Sequence, residues 1–227
     1  MLHAIYHNKG SLWRRYIGHR DEREGNVYAE DEITSAFLGT QNFLEVNDIW
    51  QIWEVIIGES LYPPDVQYPP ERFEIALWPR RKIEPDALIT FFWPNNEKLH
   101  LLIEFKWDAG ESGTNQLEKQ WKEFLTKDER DNAWHLFISK DISAAVPYIH
   151  KWRLIPITWL QVRSALQKVN TKKETIGNGN LVKYCNLMEK FMKKIQIFPF
   201  GGFNRLEDFP ELPDAKNEFI FFKSKKG

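Results

Sequence analysis

Short apolar runs separated by turn-forming residues make up the middle of this chain. Residues rich in β-branched and aromatic side chains, which favour strands, occupy positions 72–78, 86–93, 100–107 and 134–139. A proline and two asparagines within residues 94–98 favour a turn between the second and third runs. The pattern therefore predicts neighbouring strands of one mixed sheet.

Apolar residues on either side of these runs follow the spacing of amphipathic helices. The pattern predicts helices over residues 26–38, 46–57, 115–126, 159–166 and 181–195, and further strands over residues 154–158 and 219–222. Gly39 and Gly58 are suitable stop signals for the first two helices. Strands and helices in this order indicate an α/β fold.

Three charged residues stand within the second and third apolar runs, where an unpaired charge is costly. Strand alternation places Glu104 and Lys106 on the same face. If the two runs form a hairpin centred near Asn96, Asp86 lies opposite Lys106 and diagonal to Glu104, at about 7–8 Å between backbones. Two carboxylates this close predict a site for a divalent cation, Mg²⁺ or Mn²⁺.

The order of Pro85 and Asp86 followed by Glu104 and Lys106 resembles the signature of the PD-(D/E)xK nuclease superfamily. That superfamily includes restriction endonucleases, Holliday-junction resolvases and RecB-type nucleases. The resemblance implies a restriction endonuclease-like core, in which a central mixed sheet is flanked by helices in the order helix, three strands, helix, strand.

The predicted elements fit this order within a single domain over residues 1–227. The core would occupy roughly residues 26–160, and residues 161–227 would add further helices. No internal repeat or low-complexity segment divides the chain.

The resemblance also implies an activity, namely hydrolysis of DNA phosphodiester bonds by an endonuclease that depends on Mg²⁺ or Mn²⁺. Asp86 and Glu104, with the backbone carbonyl of Phe105, would hold the metal. Lys106 would orient or deprotonate the attacking water and neutralise the phosphate. Such an enzyme would act in restriction, in other phage defence or in DNA repair.

The superfamily places a further acid on the first helix and often a glutamine on the helix after the lysine strand. Glu30 is the preferred acid, because it shares a helical face with later apolar residues, while Asp31 and Glu32 remain alternatives. Gln116 occupies the position of the glutamine, and Gln120 lies one turn later. A solvated acidic first turn and a polar helix surface would explain these residues without a functional role.

Charge and composition narrow the expected partners. The net charge of −1 is not that of a purely electrostatic DNA binder, but Arg80, Arg81 and Lys82 form a basic cluster that is predicted to bind nucleic acid. DNA is the expected partner, and a protein partner or a homodimer is left open. The alternative function is a catalytically silent or partner-dependent nucleic-acid-binding module of the same fold.

Cysteine content and hydropathy bear on location. The single cysteine, Cys185, excludes an internal disulfide framework and a cysteine-based zinc finger. No apolar run reaches membrane-spanning length and no signal-peptide core is visible, so a cytoplasmic protein with no membrane partner is expected.

Overall fold

The computed structural model describes residues 29–58, 66, 68–107, 115–171 and 179–198. The chain divides into two compact units, Met1–Ile197 and Phe198–Gly227, and every helix and strand named below belongs to the first. The strand predicted over residues 219–222 lies outside the described residues.

Five strands form one mixed sheet, and they lie in the order in which they occur along the chain. They are β1 (Arg72–Leu77), β2 (Ala87–Phe92), β3 (Lys98–Phe105), β4 (Ala133–Ser139) and β5 (Leu154–Thr158). The first three strands pair antiparallel, and β3, β4 and β5 pair parallel. The prediction of an α/β protein with a mixed sheet is confirmed, and strand ends differ from the prediction by two residues or fewer.

Helices precede and follow the strands as predicted. They are α1 (Ala29–Leu38), α2 (Val46–Ile57), α3 (Asn115–Lys119), α4 (Lys127–Asp131), α5 (Trp159–Thr171) and α6 (Gly179–Lys194). Short 3₁₀ turns cover Gln41–Phe43 and Val146–Tyr148. Gly58 ends α2 in the left-handed region, with a φ of 75° that a residue without Cβ adopts readily.

The prediction of one continuous helix over residues 115–126 is wrong. The α-helix ends at Lys119 and is followed by a π-helical turn, Gln120–Phe124, that ends where the Leu125 amide bonds the Gln120 carbonyl at 3.4 Å. A separate helix, α4, then begins at a capping box in which Thr126 and Glu129 satisfy each other's backbone amides.

One face of the sheet packs on the main hydrophobic core. Ile103 and Phe105 of β3 join this core together with residues of α1, α2, α5 and α6. The Phe105 ring lies against Phe37 and Trp159, with ring centroids 6.2 and 5.2 Å apart. Each such aromatic pair contributes about 0.5–1.5 kcal/mol beyond the burial of its surface. The core face therefore holds the end of β3 firmly in place.

The opposite face of β3 is covered by the segment that follows the strand. Leu102 packs against Phe124 and Leu125 at the end of the π-helical turn. Leu117 of α3 packs against Phe137 of β4. Because side chains alternate along a strand, Glu104 faces this covering segment and not the main core.

The register of the β2–β3 hairpin differs from the predicted one. Ala87 faces Ile103, and the Trp93 amide bonds the Glu97 carbonyl at 3.0 Å, so the hairpin is centred on Asn95. Asn96 adopts a φ of 65°, which completes a three-residue loop of the kind built from a turn and one left-handed residue.

The next pair beyond Ala87 and Ile103 in this register is Asp86 with Glu104. The predicted position of Asp86 opposite Lys106 is therefore wrong. The change shifts the pairing by two residues, and a shift of two keeps every side chain on its predicted face. Asp86 and Glu104 therefore still share one side of the sheet, and they lie closer in register than predicted.

Candidate functional site

Asp86, Glu104 and Lys106 meet where two paired strands have neighbouring ends. Asp86 immediately precedes β2, and Lys106 immediately follows β3. The Lys106 Nζ atom lies 2.8 Å from Glu104 Oε1. The Phe105 backbone amide donates a hydrogen bond of 2.7 Å to Asp86 Oδ2. The structure thus brings together the three charged side chains that interrupt the apolar runs.

Two glutamine amides also contact the Glu104 carboxylate. Gln116 Nε2 donates to Oε1 at 2.7 Å, and Gln120 Nε2 donates to Oε2 at 2.6 Å. The two glutamines lie four residues apart, so both amides leave the same side of the helical segment. The sequence predicts Gln116 as the glutamine of this site, with Gln120 one turn later, and both side chains contact Glu104.

Burial makes these contacts energetically important. The Glu104 side chain is 2% exposed and that of Lys106 is 15% exposed, while Asp86 is half-buried. Removing one partner of a buried ion pair costs about 3–5 kcal/mol, because the other charge is left in a poorly solvating environment. The Lys106 ammonium and the two glutamine amides therefore supply the Glu104 carboxylate with hydrogen-bond donors beneath the protein surface.

The backbone of the site is anchored from the core side. Trp159 Nε1 donates to the Lys106 carbonyl at 3.1 Å, and the Trp159 ring stacks on Phe105. The Lys106 amide bonds the Ile138 carbonyl at 2.8 Å and so continues the pairing of β3 with β4. Lys106 is thereby fixed at its main chain.

His135 on β4 belongs to the same cluster and was missed by sequence analysis. Its Nε2 lies 3.2 Å from Gln120 Oε1, and its ring stacks on Trp121 with centroids 6.1 Å apart. Burial lowers the pKa of His135 to about 3, so the ring is neutral. Its sequence context, an apolar strand, gives no signal that this ring reaches the helix after β3.

The predicted helix acids lie on α1, but their side chains are not described. Glu30, Asp31 and Glu32 fall in the first turn of α1, where the backbone alone is described. The choice among them remains a prediction. Ile33 and Phe37, later on the same helix, are buried in the main core.

The predicted nucleic-acid-binding cluster lies in the connection between β1 and β2, and its members differ in their contacts. Arg81 forms a two-pronged ion pair with Glu129, with N–O distances of 2.6 and 2.7 Å. Arg80 contacts Glu84 at 2.6 Å with 85% of its side chain exposed. Lys82 is exposed. The contact with Glu129 gives Arg81 a structural role, and binding of nucleic acid by this cluster remains a prediction.

Across the described residues, no group of three or more His, Cys, Asp or Glu side chains is placed to hold a metal ion. The site contains the carboxylates of Asp86 and Glu104. Oxygen donors of this kind suit Mg²⁺, which keeps several waters and is commonly held by one or two carboxylates. The residues present therefore fit a hard divalent cation.

Comparison with models of protein families, with curated proteins and with solved structures found no match for this chain. Within the described ranges, no helix is long and apolar enough to cross a membrane.

Proposed function

We propose that this chain is a nuclease that depends on Mg²⁺ or Mn²⁺ and hydrolyses phosphodiester bonds of DNA on a restriction endonuclease-like core. The observation that carries the proposal is the contact of Lys106 with Glu104, at 2.8 Å, beside an Asp86 carboxylate that is bonded to the intervening Phe105 amide. This cluster matches the residues that gave the resemblance to the PD-(D/E)xK superfamily. Roles in restriction, other phage defence or DNA repair belong to the same proposal.

Asp86, Glu104 and the Phe105 carbonyl would hold the cation, with Glu30 as a further acid from α1. A bound divalent cation supplies Lewis-acid stabilisation of the charge that develops on the phosphate oxygens. Gln116 and Gln120 fix the carboxylate of Glu104, so that its orientation is set before substrate binds.

Lys106 would act on the phosphate and on the attacking water. Its ammonium is a compact charge with three donors, and its 15% exposure leaves it accessible from one side. In the apo protein this charge is paired with Glu104. With phosphate present, the same ammonium would contact a non-bridging oxygen and hold the water in line with the leaving oxygen.

The test is a cleavage assay on single-stranded, duplex and branched DNA, with an RNA control, in Mg²⁺ or Mn²⁺. We expect Lys106→Ala to lower the cleavage rate by about 100-fold or more, because a contact to transition-state charge is lost. Lys98→Ala is the matched control, since Lys98 is an exposed lysine at the opposite end of β3. Thermal unfolding of each variant separates lost chemistry from lost folding.

Two outcomes would change the proposal. If Lys106→Ala folds and cleaves at the rate of the wild type, the assignment of these residues is wrong. If the wild type cleaves no nucleic acid but binds it, the chain is a nucleic-acid-binding module that is silent or needs a partner.

A further inference from the structure

A continuous hydrogen-bonded chain links the candidate catalytic carboxylate to a histidine on the neighbouring strand. Glu104 Oε2 accepts from Gln120 Nε2 at 2.6 Å, and Gln120 Oε1 lies 3.2 Å from His135 Nε2. All three side chains are buried, and those of Gln120 and His135 have no exposed surface. The three residues come from β3, the π-helical turn and β4.

We propose that His135 is a positioning residue, whose Nε2–H holds the Gln120 amide in the one orientation that donates to Glu104. The inference deepens the proposed nuclease function and rests on it for its catalytic consequence. Its structural content, the direction of the hydrogen bonds, does not depend on whether the chain cleaves DNA.

The direction of these bonds follows from the groups themselves. A carboxylate only accepts hydrogen bonds, so Gln120 must turn its NH₂ toward Glu104 and its oxygen toward His135. That oxygen needs a donor, which a neutral imidazole provides only from the nitrogen that carries its proton. The opposite amide orientation would place the Gln120 oxygen against the Glu104 carboxylate, which is repulsive in a buried setting.

The state of the His135 ring agrees with this assignment. Burial keeps the ring neutral, so it carries a single proton. Its buried Nδ1 has no hydrogen-bond partner among the described residues. A proton on Nδ1 would therefore leave two groups unsatisfied, the Nδ1–H and the Gln120 oxygen. With the proton on Nε2, only the bare Nδ1 remains without a partner.

The local backbone supplies a second observation. Gln120 is the first residue of the π-helical turn, and its carbonyl accepts from Leu125, five residues later. Such turns are rare and are frequently found at functional sites. The turn also carries Trp121, whose ring stacks on His135 at an interplanar angle of 18°. The His135 ring therefore contacts two residues of this π-helical turn, Gln120 and Trp121.

Gln116 provides an internal comparison. It donates to the other oxygen of Glu104, at 2.7 Å, from one helical turn earlier. It is only partly buried, and the contact to His135 belongs to Gln120. A positioning role for His135 therefore predicts coupling to Gln120 and independence from Gln116.

The first experiment measures structure alone. Nitrogen-15 NMR of the full chain at neutral pH should show His135 with its proton on Nε2 and a bare Nδ1. The side-chain amide protons of Gln120 should shift in His135→Leu and keep most of their wild-type shift in His135→Gln, whose amide can still donate. A proton on Nδ1, or a Gln120 amide that does not respond to His135→Leu, would overturn the proposal whether or not the chain is a nuclease.

The second experiment measures metal affinity and cleavage. Outer-shell partners of metal ligands typically change affinity or activity by about 10- to 100-fold, and we expect His135→Leu to lower Mn²⁺ affinity and kcat within that range while KM for DNA stays unchanged. The effect should be largely absent in a Gln120→Leu background and fully present in a Gln116→Leu background. Equal effects in both backgrounds would refute the coupling to Gln120.

Together, the two experiments distinguish a failure of the proposed nuclease function from a failure of the positioning role of His135. If the NMR result holds but the wild type neither cleaves nucleic acid nor binds Mn²⁺, the proposed function is wrong and the positioning of Glu104 stands as a structural device. If the wild type cleaves DNA and the folded His135→Leu variant keeps the kcat of the wild type, the positioning role is wrong. The nuclease assignment then stands.

Discussion

The ion pair of Arg81 and Glu129 should make a measurable part of the stability depend on acid. The hydrogen bond to Arg81 is the main reason why the pKa of Glu129 falls from 4.5 to about 2. Glu129→Gln removes the charge but keeps the capping box, because glutamine also fits that motif. The substitution therefore isolates the ion pair.

The magnitude follows from the lowered pKa and the exposure. A fall from 4.5 to about 2 corresponds to at most ~3.4 kcal/mol, at about 1.36 kcal/mol per pKa unit. The Arg81 side chain is 39% exposed, so solvent screening reduces the effect. We expect Glu129→Gln to lower the free energy of unfolding by about 1–2 kcal/mol at pH 7.

The dependence on pH has a definite sign. Because the pKa of Glu129 is lower in the folded state, its contribution is complete above pH 4.5 and is lost as the pH falls toward 2. The difference in unfolding free energy between wild type and Glu129→Gln should therefore shrink over that interval. Urea unfolding followed by circular dichroism from pH 7 to pH 2.5, at constant salt, measures it.

Two arginine variants separate the role of Arg81 in this ion pair from a general loss of positive charge. Arg80→Ala removes a neighbouring arginine whose side chain is 85% exposed, and we expect a change below about 0.5 kcal/mol. Arg81→Ala should lower the free energy of unfolding more than Arg80→Ala does, since Arg81 pairs with Glu129 and also donates to the Phe124 carbonyl at 2.7 Å. A difference between wild type and Glu129→Gln that stays constant across the pH range would refute the assignment of the lowered pKa to this pair.

Two further predictions concern the metal and the thiol. Mg²⁺ or Mn²⁺ should raise the melting temperature of the wild type and leave that of Asp86→Asn unchanged, because binding to the native state alone stabilises it. Asp128→Asn, a substitution on α4, is the surface control. If the metal shifts the melting temperature of Asp86→Asn as much as that of the wild type, the metal binds elsewhere. Cys185 is 1% exposed and burial raises its pKa to about 12, so a thiol reagent at pH 8 should label it only when urea unfolds the protein. Rapid labelling of the native protein would contradict this burial.

Sequence alone was sufficient for the order of strands and helices, because the strands coincide with the apolar and alternating runs of the chain. The hairpin register was not accessible in the same way. It depends on Asn96 adopting a φ of 65°, and asparagine occupies such a conformation in some turns and not in others. The face that carries Asp86 and Glu104 was still predicted correctly, because the register differs by two residues and an even shift preserves the alternation of side chains.

Interruptions of helical geometry were harder to foresee. Hydrophobic spacing over residues 115–126 is compatible with an α-helix, and nothing in the periodicity marks the change to i→i−5 bonding at Gln120. The start of α4 was readable, because Thr126 and Glu129 have the spacing of a capping box.

Contacts between distant segments were the part that sequence could not supply. Arg81 appears as one member of a basic cluster, yet its partner Glu129 lies on α4, in the segment after the π-helical turn. His135 appears as a strand residue, yet its ring contacts the amide of Gln120. In both cases the sequence indicates the element and leaves the partner undetermined, because pairing across elements depends on packing.

The contacts of Glu104 are hard to explain by their contribution to stability alone. Burying an ion pair such as that with Lys106 seldom stabilises a fold, and apolar residues of similar volume commonly do as well or better. Here the chain also commits two glutamine amides to the same carboxylate, one of them at the start of a π-helical turn. The aromatic contacts of Phe105 on the core side already secure this end of β3. A buried charged cluster beside Asp86 therefore supports the proposed function more than it accounts for the stability of the fold.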